Sequence, residues 1–182
     1  MEIGKTLYVT NRKRWREWLQ SHHDSEPEIW LVSYRQSSGK PSIPYNDAVE
    51  EALCFGWIDS IVKNLGEECS AQRFSPRNPK SKWSEMNLER VRRLRDKGKM
   101  TPAGLAAVGD LLDQEFSIPA DILETLRRDP EVWDNFQQFP DSYKRIRVGW
   151  IDAARGRSEV FRQRLDYLLK MTKRKERLGM VQ

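Results

Sequence analysis

The chain has little of what most recognisable chemistry requires. Two cysteines, Cys54 and Cys69, are too few for a disulfide framework. Two histidines, His22 and His23, are adjacent rather than a helical turn apart. That spacing does not suit a metal pair, and the acids beyond it (Asp24, Glu26, Glu28) do not repair it. There is no glycine-rich phosphate loop, no dinucleotide fingerprint and no Gly-x-Ser-x-Gly elbow. No apolar run reaches the roughly 20 residues of a membrane span, and Met1 to Asn11 lacks the apolar core of an export signal. A cytoplasmic protein with reduced thiols, no metal and no cofactor is the expectation. Cys54 has no histidine to activate it, so a small buried thiol is expected there rather than a nucleophile.

What is abundant is charge and tryptophan. Charged residues make up 32% of the 182, hydrophobic residues 38%, and there are seven tryptophans. This is the balance of a globular chain long enough to bury a core unaided. The net charge of +5 is unevenly spread. Residues 1–76 and 100–154 are net acidic, whereas residues 77–99 and 155–182 each carry 9 basic against 3 acidic side chains. Basic segments of this kind attract phosphate-bearing or acidic partners, or simply solvate a helix face.

Periodicity places an α+β layer first. Leu7–Thr10 and Glu28–Arg35 read as strands, and Asn11 caps a helix carrying Trp15, Trp18, Leu19 and His22. Asn46 is read as the cap of a second helix that Gly56 stops. Trp57–Lys63 and Cys69–Ser75 form a hairpin. Glu50 and Glu51 are expected on different sides of their helix, so not as a carboxylate dyad. From Ser84 onward the pattern is helical, punctuated by Thr101-Pro102, Pro119, Asp129-Pro130, Pro140 and Ser158. Tyr143, Ile146 and Trp150 share one face, Phe161, Leu165, Leu168 and Leu169 another, with Tyr167 also at core spacing. The expected fold is α+β: a small mixed four-stranded sheet with two helices, followed by a bundle of about five helices. The expected parts are residues 1–83, residues 84–178, and a tail at 179–182, with fraying from Lys170 on.

The best candidate site lies near the hairpin and loop at residues 73–83. Trp57 and Trp83 supply flat surfaces, Arg73, Arg77, Lys80 and Lys82 supply cations, and Asp59 and Ser75 add polar groups. Guanidinium groups bind phosphate or carboxylate through paired hydrogen bonds, and an indole can stack on a ring. An anionic small molecule or an acidic protein partner suits this set. The scaffold alternative pairs Arg73 with Asp59 across the hairpin and uses Trp83 to pin the loop. Nucleic acid is a further alternative, through Arg155, Arg157, Arg162, Arg164 and Lys173–Lys175, although no recognition motif accompanies those charges. Gly-Trp-Ile-Asp occurs at 56–59 and 149–152 in different contexts, without wider self-similarity.

Residues 52–60, Arg73–Arg77, Lys80–Asn87 and Gly98–Gly104 resemble the YdeI/OmpD-associated family, also called OmdA or bacteriocin-protection. The stretch Pro119–Leu126, Phe136, Ser142-Tyr143 and Trp150-Ile151 resembles it too, so the resemblance runs from about Leu7 to Leu178, with residues 115–178 as its C-terminal region. The family's name implies a bacterial protein acting in bacteriocin protection or envelope stress, with no assigned reaction. Two departures stand out. Arg155 takes the place of the family's usual lysine, and Glu159 is followed by Val160 and Phe161 rather than by a Thr-Arg step.

Overall fold

A computed structural model describes residues 2–177 and Gly179. It divides into two compact units. One comprises Met1–Ser81 and Arg90–Leu112, the other Lys82–Glu89 and Asp113–Gln182. Residues 90–112 thus group with the sheet rather than with the helices that follow them.

The first unit is built on a four-stranded mixed sheet of order β1-β2-β4-β3. Strand β1 (Thr6–Tyr8) runs parallel to β2 (Ile29–Tyr34), and the crossover between them is helix α1 (Arg12–His22). Strands β3 (Trp57–Asn64) and β4 (Cys69–Pro76) form the antiparallel hairpin, with an irregularity between Asp59 and Val62. The central strand β2 buries Ile29, Trp30 and Leu31 in succession, so both sheet faces are covered there. Asn11 caps α1 as its type predicts, its side chain accepting from the Arg14 backbone N–H at 3.0 Å. Trp15 and Leu19 point into the core at 0% exposure, and the Trp15 indole donates to Ala48 O at 2.9 Å.

Helix α2 (Tyr45–Cys54) is enclosed along nearly its whole length. Every residue from Ala48 to Cys54 is buried, including Glu50 and Glu51. Two expectations are corrected here. Pro44, not Asn46, occupies the N-cap position, and Asn46 instead accepts a hydrogen bond from Arg90 at 2.8 Å. Glu50 and Glu51 do not go separate ways. Both bind Arg12, which also reaches Asp47 at 3.1 Å; Arg16 holds Glu51 at 2.7 Å, and Arg93 binds Glu50. Burial works against the Arg12 charge, but Glu51 and Glu50 outweigh it and raise its pKa. Carboxylates this enclosed are tolerable only because each is hydrogen-bonded and paired.

The end of α2 fixes the next contact. Thr101 caps helix α4 (Pro102–Val108), and its hydroxyl and backbone N–H both donate to Cys54 O, at 2.6 and 3.1 Å. Gly104 lies against that same carbonyl, and a Cβ there would fall 2.2 Å from Cys54 O. Helix α3 (Glu85–Asp96) contributes Val91 and Leu94 to burial.

The second unit takes the start of α3 together with α5 (Ala120–Arg127), α6 (Pro130–Gln137), α7 (Asp141–Asp152) and α8 (Ser158–Lys173). With α4 counted, six α-helices follow the sheet among the described residues, against the roughly five expected. Its core gathers Ile122, Leu126, Val132, Phe136, Tyr143, Val148, Ile151, Leu165 and Leu168. Buried Asn135 donates to Thr172 O at 3.2 Å, tying α6 to α8. The glutamate–arginine pair Glu89–Arg145, at 2.5 and 3.1 Å, ties α3 to α7. Helix α8 continues through Lys170 to Lys173, so fraying does not begin at Lys170. Lys175 adopts the left-handed conformation (φ 59°), and Glu176 N–H closes onto Met171 O, a Schellman ending. Of the expected tail at 179–182, only Gly179 falls among the described residues. Two side chains differ from expectation: Trp150 and Tyr167 are exposed rather than inward.

Two stability measurements probe these contacts. In urea unfolding, Gly104→Ala should cost about 2 kcal/mol or more, because backbone rather than a flexible tip must yield. Gly156→Ala, with open space around it, should change stability by less than about 0.5 kcal/mol. Removing the shared cation with Arg12→Met should cost about 2 kcal/mol or more, because Glu50 and Glu51 would each keep one arginine, Arg93 and Arg16, but lose the guanidinium they share. A loss under about 1 kcal/mol would show that the network is not needed to keep α2 enclosed.

Candidate functional site

The residues proposed from sequence fall into both units: Trp57, Asp59, Arg73, Ser75, Arg77 and Lys80 in the first, Lys82 and Trp83 in the second. Those in the first unit are largely engaged in holding the sheet. Trp57 is 1% exposed, donates to His23 O at 3.0 Å and meets Trp18 edge to face, so it belongs to the core. Arg73 does not pair with Asp59. It donates to Glu28 at 2.6 Å and to Ser75 and Ser60 at 3.3 Å, and this pairing lowers the Glu28 pKa. The register explains the choice: Arg73 stands opposite Trp30 on β2, beside Glu28 on the adjacent strand end. Asp59 accepts instead from Tyr45 at 3.0 Å and Gln72 at 2.7 Å. Arg77 is part-buried, donates to Ser81 O at 3.4 Å, and its pKa is lowered by desolvation. Lys80 is exposed on the proline-stiffened loop.

Lys82 and Trp83 have a different setting. They line a cavity of about 780 Å³ within the second unit. Its wall on one side is the segment leading into α3, and on the other the last two turns of α7 and the residues after it. A glycine makes the approach possible. Gly149 sits in mid-helix, and a Cβ there would lie 2.4 Å from Glu85 Cγ and 2.8 Å from its Cβ. Those atoms are near the root of the glutamate, so a larger residue would push α7 off α3.

Three cations, Lys82, Arg147 and Arg155, and two acids, Glu85 and Asp152, line this cavity. Arg155 is committed elsewhere. It grips Asp121 through two nitrogens at 2.8 and 3.0 Å and Asp152 at 2.5 Å, which raises its pKa. At the position where the resemblance expects lysine, this guanidinium ties the start of α5 to the end of α7. Arg147 is the more informative cation. It is half-buried, and desolvation lowers its pKa. Its guanidinium lies 5.5 Å from the Tyr143 ring centre and 5.9 Å from that of Trp150. A cation stripped of part of its water shell gains more from an incoming anion than one in bulk solvent does.

Trp150 is held from a second side. The Arg164 guanidinium lies 4.2 Å from its ring centre, and the same side chain donates to the Trp150 carbonyl. At 37% exposure, the indole is both fixed and accessible. Sequence reading missed Arg147 and Trp150. The signal was present in a glycine within a helix, which costs stability unless close packing requires it.

Cys54 is not set up as a nucleophile. Cys54 is 0% exposed, and burial together with Glu51 pushes its thiol up to about 11, the opposite of an activated nucleophile. Among the described residues no three His, Cys, Asp or Glu side chains gather as metal ligands, and no helix is long and apolar enough to cross a membrane. A thiol-specific chromophoric disulfide at pH 8 should therefore label one cysteine of the native protein, Cys69, and two after unfolding. Fast native labelling of Cys54 would mean that its pocket opens readily.

Comparison with known families divides the chain in two. Residues 7–107, more than half of it, match the model described as Domain of unknown function (DUF8412). Residues 115–175 match the model described as Bacteriocin-protection, YdeI or OmpD-Associated (OmdA). The sequence blocks at 52–104 thus lie inside the first match, and the YdeI/OmpD-associated match is carried by the C-terminal helices. No curated protein and no solved structure matches the chain.

Proposed function

We propose, for a chain that belongs to the DUF8412 family and carries a YdeI/OmpD-associated region at residues 115–175, that it is a binding protein for a small anionic ligand held in the α3–α7 cavity. One observation carries this reading. Arg147, part-desolvated, and Lys82 line the same cavity as two tryptophans. The cavity volume of about 780 Å³ is within the roughly 300–1,000 Å³ of ordinary small-molecule sites. An anion entering there would add charge-assisted hydrogen bonds to Arg147, whose charge burial disfavours. The ligand site thus sits at the end of the 73–83 segment singled out from sequence and extends onto α7. An acidic side chain of a protein partner would use the same chemistry. In keeping with the name of its C-terminal region, the protein would serve bacteriocin protection or envelope stress from the cytoplasmic side.

The nucleic-acid reading is the weaker one. Arg155 holds Asp121 and Asp152, Arg162 lies near Glu159, Lys173 near Asp129 and Glu131, and Arg164 sits on Trp150. Much of the basic charge on and before α8 is thus directed at the protein itself.

The test is a thermal-shift titration of the full chain with pyrophosphate and ribose 5-phosphate, at low salt and at about 0.5 M salt, where exposed charges are screened. Saturable stabilisation that survives salt and disappears in Arg147→Met and Lys82→Met, with their own melting temperatures unchanged, is the expected result. Stabilisation only by long DNA or RNA, vanishing with salt, would overturn the proposal in favour of general electrostatics.

A further inference from the structure

The cavity that would hold an anion also presents two indoles, and phosphate needs neither. Trp83 is half-buried on the α3 side, and Trp150 is more than one-third exposed on the α7 side. Trp150 is anchored before any ligand arrives. Arg164 lies 4.2 Å from its ring centre and donates to its own carbonyl, so one side chain fixes both ring and backbone. A cation over an indole face is attracted by the ring quadrupole. The result is a part-exposed aromatic surface near a half-buried guanidinium, Arg147, whose charge lies 5.9 Å from the same ring.

Flat apolar surface and adjacent positive charge in one cavity select a ligand with the same two halves. We propose that the ligand is a nucleotide. Its base stacks in the space lined by Trp83 and Trp150, and its phosphate meets Arg147 and Lys82. This rests on the anion-binding reading above and adds the ring to it. A cavity of about 780 Å³ has room for base, sugar and phosphate together. Stacking tolerates any base, because every base has a π face, so the selection is for nucleotide over sugar phosphate rather than for one base.

The experiment measures binding of AMP, ribose 5-phosphate and adenosine to the full chain, by calorimetry and by quenching of tryptophan fluorescence. AMP should bind about tenfold or more tightly than ribose 5-phosphate, the worth of one stacked base. Trp83→Leu and Trp150→Leu should narrow that gap by weakening AMP more than ribose 5-phosphate, and Trp83→Phe, which keeps a stacking face, should retain it. Equal affinity for AMP and ribose 5-phosphate, both lost in Arg147→Met, would overturn the nucleotide assignment and leave the anion site standing. Equal affinity for AMP and adenosine, indifferent to Arg147→Met, would overturn the anion reading itself. No binding of any of the three at about millimolar concentration would overturn both.

Discussion

Helix α2 is buried from Ala48 to Cys54 although it carries two consecutive glutamates there, and Arg12 binds both of them. An isolated carboxylate cannot be taken out of water at acceptable cost, and Glu51 is 2% exposed. Arg12 bridges Glu50, Glu51 and Asp47 from α1, with Arg16 and Arg93 completing the coordination. Much follows from that clamp. It fixes α1 against α2, and α2 ends in the Cys54 carbonyl that receives Thr101. Gly104 then allows α4 to approach that carbonyl closely. A chain of contacts thus runs from the first helix to residue 104, the span over which the DUF8412 match extends.

The same economy governs the tryptophans. Trp15, Trp30 and Trp57 are fully enclosed, and Trp18 is stacked between Trp15 and His22 at 5.4 and 4.7 Å. Each buried indole N–H has a partner: Ala48 O for Trp15, Glu28 for Trp30 and His23 O for Trp57. In the second unit Trp133 packs on Phe136 with Arg127 over its ring. Trp150 differs because its contacts are cations and solvent rather than core. That difference sets Trp150 apart from the enclosed rings.

Arginine does most of the long-range linking in both units. Arg73 joins β4 to Glu28, Arg145 joins α7 to α3, and Arg155 joins the end of α7 to α5. Planar guanidinium groups suit this because one side chain can satisfy two or three oxygens at fixed geometry. The net positive charge read from composition therefore overstates how much of it faces outward to partners. The Arg147 guanidinium lies near the aromatic rings of Tyr143 and Trp150.

Local patterning by itself determined the elements. Alternating β-rich runs, helical spacing, the Asn11 and Thr101 caps, Pro130 after Asp129, and Gly56 at φ 75° each specify their conformation from nearest neighbours, and the sheet, hairpin and helices stand where these signals put them. Spacing could not tell which of several equivalent partners a charge would choose. Arg73 took Glu28 over Asp59 because the β2–β4 register brings Glu28 beside it. Glu50 and Glu51 converged on one cation because α1 lies across α2. Nor could spacing say which aromatic on a face meets the core. Tyr143, Ile146 and Trp150 share a helical face in projection, but only the first two meet packed neighbours. Trp150 is left at a cavity opened by the close approach of α3 to Gly149. Such choices depend on residues distant in sequence, which only tertiary packing brings together.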